Sequence, residues 1–453
     1  MSDALHRWDE RADMFAHSVI GYAIERMHLR KDTTWGAIPA HRLTEALDGV
    51  ICPDGIGGHQ ALRLFRDVLL PACRPQDDPM NLAYVPAAPS VAAVAFDLVV
   101  SASSIFGGTW EAGAGAIAAE NQALRWLADL AGFPPEAGGV FVSGGSAANL
   151  SALVTARQAH LAKYGRTKRL AVTATSEVHA SARAAARVMD IDVVDVDTDS
   201  NGRMHASALR AAIDRANEHV VFAVVATGGT TNAGMVDPLD EIAGVCDECD
   251  LWLHVDGAYG LAALCAPSVR PAFDGIERAD SFGVDPHKWL YAPYDCAALV
   301  YRDPRLAAEA HTQHGDYLDA VDHQQWNPAD YAYHLSRRVR GLPLWFSLAT
   351  YGTDAYRDAV EQSLATAHAF ARAVDDHPAF DLLIEPTLSV VLFRRRGWED
   401  RQYAEWSATQ ARAGTVLIVP TSWRGETCMR VCVIDPRTRL DRLVDLLEHM
   451  AED

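Results

Sequence analysis

The sequence predicts an α/β protein whose large domain carries a mostly parallel seven-stranded sheet, preceded by a helical segment and followed by a small α+β domain. Three observations predict it. Short, almost continuously apolar, β-branched runs alternate with helical patterns, as the buried strands of βαβ units do. The chain has 453 residues, enough at roughly 150 residues per domain for two or three domains, or for one large α/β unit with satellites. Its residues are 49% hydrophobic and 22% charged, which suits a packed core and is too apolar for a disordered chain.

From Trp8 to about Ala72 the pattern is helical and polar, with short apolar stripes and no strand longer than a few residues. Pro71, Pro75, Pro79, Pro86 and Pro89 then mark an extended surface connector that can line a pocket. The strand candidates follow at Gly139 to Val142, Leu170 to Ala174, Ile191 to Val196, His219 to Ala226, Leu251 to Val255, Ser281 to Val284 and Ala297 to Tyr301. Downstream, Asp381 to Phe393, Val416 to Val419 and Met429 to Ile434 alternate with the helical stretches Ala355 to Val374, Ala404 to Ala413 and Leu440 to His449. The expected division is residues 1–90, 91–342 and 343–453, without internal repeats or low-complexity segments.

Composition excludes several partners. With Lys+Arg 40 against Asp+Glu 60, the formal net charge of −20 repels nucleic acid and anionic membrane surfaces, so neither is expected and a small-molecule partner is. Met1 to Glu10 is charged where an export signal is apolar, and the apolar stretch Val91 to Ile105 is broken by Asp97 and too short for a bilayer. The expected address is cytoplasmic, with the 8 cysteines as reduced thiols. Cys246-Asp247-Glu248-Cys249 is a lone CxxC without a second pair at zinc spacing, and His311, His314 and His323 read as solvated residues of a polar loop. No metal is expected.

Four spots at strand ends carry chemistry, where the ligand crevice of a doubly wound sheet lies. Ser143-Gly144-Gly145-Ser146 leads from a strand into an Ala- and Leu-rich helix, whose free N–H groups and Ser146 hydroxyl suit a phosphate. Asp256 ends an apolar strand before Gly257-Ala258-Tyr259 and can hold a cationic nitrogen. Lys288, between His287 and Trp289 after an apolar strand, is expected to be poorly solvated, with a lowered pKa and an amine nucleophilic toward aldehydes. His179, in Ser176-Glu177-Val178-His179, can lie flat on an aromatic ligand. Each alone has a commoner structural reading: a Gly-rich turn, a helix cap, a snorkelling lysine, a satisfied core histidine. Together they are the parts that hold pyridoxal 5′-phosphate as a Schiff base.

At these residues the chain resembles the fold-type I pyridoxal-phosphate enzymes, whose fold is aspartate aminotransferase-like, and among them the group II amino-acid decarboxylases. The resemblance runs from Leu82-Ala83-Tyr84-Val85-Pro86 through Gly107-Gly108-Thr109-Trp110, Ala226-Thr227-Gly228-Gly229-Thr230-Thr231 and His254-Val255-Asp256-Gly257-Ala258-Tyr259. It includes Ser143 to Leu150 and continues through Ala279 to Leu290, with Asp285-Pro286-His287-Lys288-Trp289, to Ser336-Arg337-Arg338-Val339-Arg340 and the stretch Arg430 to Thr438. It implies that Lys288 forms the Schiff base, that Asp256 keeps the pyridine nitrogen protonated and that His179 stacks on the ring. Gly145, Ser146, Asp285 and His287 then surround the phosphate, with Thr227 and Ala258 against the ring. Tyr84, Val85, Pro86, Phe106, Gly108 and Trp110 are the implied substrate wall. Tyr317, in the polar stretch after Lys288, matches a loop tyrosine that in these decarboxylases closes over the neighbouring subunit's site as proposed Cα proton donor; oxidative relatives carry Phe.

The resemblance thus implies a homodimer with shared active sites that decarboxylates an L-amino acid to a primary amine and CO2. Two departures qualify it. Ala147 stands where the family commonly has an acidic residue, which leaves the phosphate contacts intact. Val85, Ala87 and Gly108 are small and apolar where aromatic-substrate members are often larger or hydroxylated, so substrates from aromatic to aliphatic amino acids stay open. The alternatives are a transaminase, with Arg430 anchoring an α-carboxylate, a decarboxylation-dependent oxidative deaminase, or a catalytically silent cofactor-binding relative.

Overall fold

A computed structural model describes residues 5–28, 38–166, 168–216, 218–315 and 324–452. The N-terminal segment is helical, as expected: α1 (Glu10–His28), α2 (Ala40–Leu47) and α3 (Gly58–Leu64) bury no residue within the chain. After the proline-punctuated connector come α4 (Val91–Ser103) and α5 (Trp110–Leu130). The Ser90 hydroxyl caps α4 by accepting the Ala93 N–H at 3.2 Å.

Strands and helices then alternate: β1 (Gly138–Val142), α6 (Gly145–Tyr164), β2 (Arg169–Thr175), α7 (Ala180–Val188), β3 (Asp192–Val196), α8 (Ala206–Arg215), β4 (His219–Thr227), α9 (Leu239–Cys249) and β5 (Trp252–Asp256). β6 (Ser281–Val284), β7 (Ala297–Tyr301) and α10 (Pro304–His311) complete the large unit. Its 7-stranded sheet has the order β1-β7-β6-β5-β4-β2-β3. Five neighbouring strands run parallel, from β6 through β5, β4 and β2 to β3. Residues 285–296 hold no helix to carry the chain back across the sheet, so β7 returns antiparallel to β6. Gly139 is required where β1 meets β7: a Cβ there would lie 1.8 Å from the Leu299 carbonyl oxygen.

Both faces of this sheet are buried, which is why its strands read as unbroken apolar runs. Along β1, Val140 and Val142 join one core and Phe141 the other; along β4, Phe222 and Val225 oppose Val224 and Ala226. The α/β architecture is the one the alternation predicts.

A second sheet of 4 strands, in the order β10-β11-β9-β8, packs on α12 (Thr353–Asp376), α13 (Asp400–Ala413) and α14 (Leu440–Glu452). Between the two units, α11 (Leu342–Tyr351) lies against α4 and α5. The expected strand Asp381 to Phe393 is two: β8 (Phe380–Leu382) and β9 (Val390–Arg395), paired antiparallel. The expected strand at Val416 to Val419 also moves. Val416, Leu417 and Ile418 are core residues before β10 (Val419–Trp423), which turns into β11 (Glu426–Cys432). The turn explains the shift: Arg424 at φ 53 and Gly425 at φ 81 form a two-residue hairpin that sets the register downstream of the apolar run.

Two tertiary ties position the site. Leu82 donates its N–H to the Leu417 carbonyl at 2.9 Å and accepts the Cys432 N–H at 3.0 Å, pinning the connector to the small sheet. Arg337, fully buried, grips Glu120 through two hydrogen bonds of 2.7 Å and the Gly107 carbonyl at 2.9 Å. No helix among the described residues is long and apolar enough to cross a membrane.

Candidate active site

The register places Thr227 beside Asp256 and Asp256 beside Gly283, a row at the carboxyl ends of β4, β5 and β6. The chain leaves these strands at one edge of the sheet, so residues far apart in sequence converge. Asp256 is 5% exposed; its Oδ1 accepts the Ala258 N–H at 3.1 Å and its Oδ2 the Asn149 side-chain N–H at 2.8 Å. Asp285 follows β6 and donates its N–H to the Ala258 carbonyl at 2.9 Å. Its Oδ2 lies 2.8 Å from Lys288 Nζ and 3.7 Å from His287 Nε2. His287 Nδ1 donates to the Cys296 carbonyl at 2.7 Å, which turns Nε2 toward Asp285.

The ionisation of Lys288 corrects the sequence expectation. Burial alone would lower its pKa, but the Asp285 carboxylate and, more weakly, Asp256 outweigh that and raise it. The apolar neighbours in sequence are real, yet the nearest atoms in space are anionic. Burial lowers His287 despite Asp285 beside it, so that ring stays neutral near pH 7.

A phosphorylated pyridine fits the residues present. The N-terminus of the 20-residue α6 faces this crevice with Gly144 as N-cap and no side chain capping it, leaving its first N–H groups for an anion. A Cβ at Gly145 would press to 3.1 Å of Ala258 Cβ and 3.2 Å of Asp285 Oδ2, so the missing side chain keeps the cradle open. Ser146 is exposed in the first turn, and the buried Asp285 Oδ1 finds no partner among the described residues. Asp256 would supply the anion for a ring nitrogen.

The outer side is lined differently. A cavity of about 340 Å³ is bordered by Tyr84, Glu177, His179, Asn232, Thr421 and Arg430 among others. His179 caps α7, its Nδ1 accepting the Ser181 N–H at 3.2 Å. Tyr84 is 63% exposed, whereas Val85 is half-buried and Pro86 buried. Phe106, Gly108 and Trp110 do not border this cavity. They pack with the segment 335–339 and Asn327, whose Oδ1 accepts the Trp110 N–H at 2.8 Å. Tyr317 and His323 lie outside the described residues.

Two residues sit differently from the sequence expectation. Arg430 borders this cavity but is 6% exposed, and its guanidinium donates to the carbonyls of Tyr84, Thr231 and Asn232. It is a clamp that holds the connector and the loop after β4 together. His311 is not a solvated loop residue but closes α10 in the core, with Nε2 3.1 Å from the Ser151 carbonyl and 3.2 Å from Thr155 Oγ1. Cys246 is buried and pushed up by desolvation, while Cys249 is exposed. Asn149, Ser181 and His254, which sequence reasoning passed over, touch the site directly or through one another. The available signal was spacing: His254 and Asp256 are two apart on one strand, so they share a face, and Asn149 is three residues after Ser146.

The pyridoxal-dependent decarboxylase conserved domain matches residues 59–396. An aromatic-L-amino-acid decarboxylase of Bacillus atrophaeus is 29% identical over 463 residues, covering 99% of this chain and 96% of that protein. One from Cavia porcellus is 30% identical over 85% of each chain. The crystal structure of Oryza sativa TDC with PLP and tryptamine shares the fold at a TM-score of 0.90 and 25% identity, covering 99% of this chain and 98% of that one. Mouse CSAD does so at 0.86 and 25%, covering 97% and 98%.

Proposed function

The chain belongs to the pyridoxal-dependent decarboxylase family and is a pyridoxal-phosphate-dependent carboxy-lyase; from that premise we propose that it converts an L-amino acid to its primary amine and CO2. Lys288 supplies the amine that takes the cofactor's aldehyde, Asp256 faces the ring nitrogen, and His179 covers the ring from the cavity side. Gly145, Ser146, Asp285 and His287 enclose the phosphate, with Thr227 and Ala258 along the ring. When bound, pyridoxal phosphate withdraws electrons from the substrate Cα and makes loss of CO2 feasible. The observation that carries this reading is the convergence of an amine and a carboxylate at the open end of α6: Lys288 Nζ sits 2.8 Å from Asp285 Oδ2, which would lie only 3.2 Å from a Cβ placed on Gly145.

Substrate enters past Tyr84, Val85 and Pro86. Relatives named for aromatic amino acids put aromatic substrates first in a panel, and the aromatic ring of Tyr84 at the cavity wall agrees with that order. Tyr317 Oη is the proposed donor of the proton that Cα receives after CO2 leaves. A homodimer is part of the same proposal. Met14, Ile20 and Ile24 of α1 are exposed, and a cavity of about 580 Å³ lined by Ile105, Ala116, Ala119, Leu342 and Trp345 adds a second apolar surface. A second copy covers both and brings Phe106, Gly108 and Trp110 to the neighbouring site. The working parts are then residues 1–90, 91–342 and 343–453, and eight unpaired cysteines suit the cytosol.

The test is product analysis over a panel of L-amino acids. Amine and CO2 in equal amounts are expected, whereas stoichiometric keto acid without CO2 overturns the assignment. Tyr317→Phe is expected to keep the cofactor colour and divert product to aldehyde with oxygen uptake; unaltered amine production assigns the proton to another group. A monomer with full activity in sedimentation at assay concentration removes the shared site.

A further inference from the structure

Asn149, 1% exposed early in α6, makes three side-chain contacts, all to groups around the cofactor crevice. Its Nδ2 donates to Asp256 Oδ2 at 2.8 Å and to Ser181 Oγ at 2.9 Å, and its Oδ1 lies 3.0 Å from His254 Nε2. The direction of every one of these bonds follows from Asp256. An ionised carboxylate only accepts, so the amide nitrogen must face it, and the amide oxygen must then face His254. His254 is therefore protonated on Nε2. Its Nδ1, 2.8 Å from Ser281 Oγ, accepts the hydroxyl proton, and that hydroxyl in turn accepts Trp252 Nε1–H at 2.9 Å. Burial of His254 lowers its pKa to about 4, consistent with a neutral ring.

The other arm runs outward. Because Ser181 Oγ accepts from Asn149, its own proton is free for His179 Nδ1, 2.7 Å away, which also accepts the Ser181 N–H. His179 then carries its proton on Nε2. One amide thus sets the orientation of an acid at the end of β5 and the tautomer of an imidazole at the start of α7.

We propose that Asn149 is a positioning residue for decarboxylation, holding Asp256 and His179 together in the arrangement that receives pyridoxal phosphate. The proposal rests on the reading of those two residues as the ones that face the cofactor ring. Removing the amide leaves Asp256 one donor short and lets the His179 ring turn, since Ser181 can then point its proton elsewhere.

The test compares Asn149→Leu, Asn149→Ser and Ser181→Ala with Asp256→Asn. It uses the full chain and measures the dissociation constant of added pyridoxal phosphate, the absorbance maximum of the bound cofactor, and the thermal midpoint without cofactor. Loss of a charge-assisted bond predicts roughly tenfold or weaker cofactor binding and a displaced absorbance band for Asn149→Leu. Asn149→Ser, which keeps a small donor and folds more readily, is expected to fall between Asn149→Leu and the parent. Ser181→Ala, which spares the Asp256 arm, is expected to change the absorbance band more than the affinity. A fall in thermal midpoint with unchanged affinity and band in both Asn149 variants overturns the proposal and leaves Asn149 a core filler. If Asp256→Asn also leaves both cofactor readouts unchanged, the reading of Asp256 fails with it; if Asp256→Asn alone moves them, only the role of Asn149 is lost.

Discussion

On the inner wall of the crevice Asn149, Asp256 and Asp285 are 1%, 5% and 3% exposed, whereas on the outer wall Tyr84 is 63% exposed. The inner wall is assembled by one chain from strand ends and a helix start, and its polar atoms are nearly all paired. Groups taken out of water need such pairing, because a buried charge or amide without partners costs more than it contributes. The outer wall is more open: its aromatic residue, Tyr84, sits on the connector and is tied through its backbone carbonyl to Arg430, with its ring left exposed. The contrast is one of preorganisation: the polar groups of the inner wall are fixed by hydrogen bonds within the chain, while the Tyr84 ring on the outer wall is not.

Four changes break or sharpen this contrast, the first being the largest. Lys288→Ala acts on the inner wall and is expected to lower kcat on the order of 10⁴-fold or more. Borohydride should then no longer fix pyridoxal phosphate to the chain. Retention of a fixable adduct would move the reactive amine to a different lysine.

Arg337→Ala acts away from both walls, on the buried pair that holds the Gly107 segment, leaving Glu120 buried without its partner, and should lower stability by roughly 3–5 kcal/mol. The denaturant midpoint measures it. A shift well under 1 kcal/mol would mean that water reaches Glu120 when the arginine is gone.

His254 gives the inner wall a pH signature. Its pKa falls from 6.5 unfolded to about 4 folded, so between those values the unfolded chain binds the extra proton and stability rises with pH. The contribution is complete above pH 6.5, is lost as pH falls toward 4, and amounts to about 3 kcal/mol at about 1.4 kcal/mol per unit. In thermal melts, the stability of the parent relative to His254→Gln should change by this amount in total across that window. Parallel curves would show that the ring is hydrated in the native protein.

Tyr84→Ala has the smallest expected effect. Because the side chain is exposed and lines the cavity without belonging to the inner wall, KM should rise several-fold, roughly 1 kcal/mol, with cofactor affinity unchanged. A larger drop in cofactor affinity than in substrate affinity would place Tyr84 on the inner wall.

Local pattern made much of the fold legible. The seven strands of the large sheet appear within a residue or two of their apolar runs, because strands buried on both faces must be apolar at consecutive positions. The small sheet was less legible, because its register depends on the Arg424-Gly425 turn and on Leu82 reaching across from the connector. The site divides along the same line. Lys288, Asp256 and the Gly144-Gly145 turn announce themselves, since each breaks a strand pattern at its carboxyl end.

The sequence by itself determined which residues end the strands and what chemistry they bear, since alternation and breaks in hydrophobicity are properties of neighbours along the chain. Tertiary structure alone decided the raised pKa of Lys288, the occupation of Arg430 by three carbonyl groups, the burial of His311 and the bond from Asn149 to Asp256. Asn149 and Asp256 are 107 residues apart in sequence. Charge and hydrogen bonding act through space over a few ångströms, and the proximity on which they depend arises only when the sheet brings distant segments to one edge.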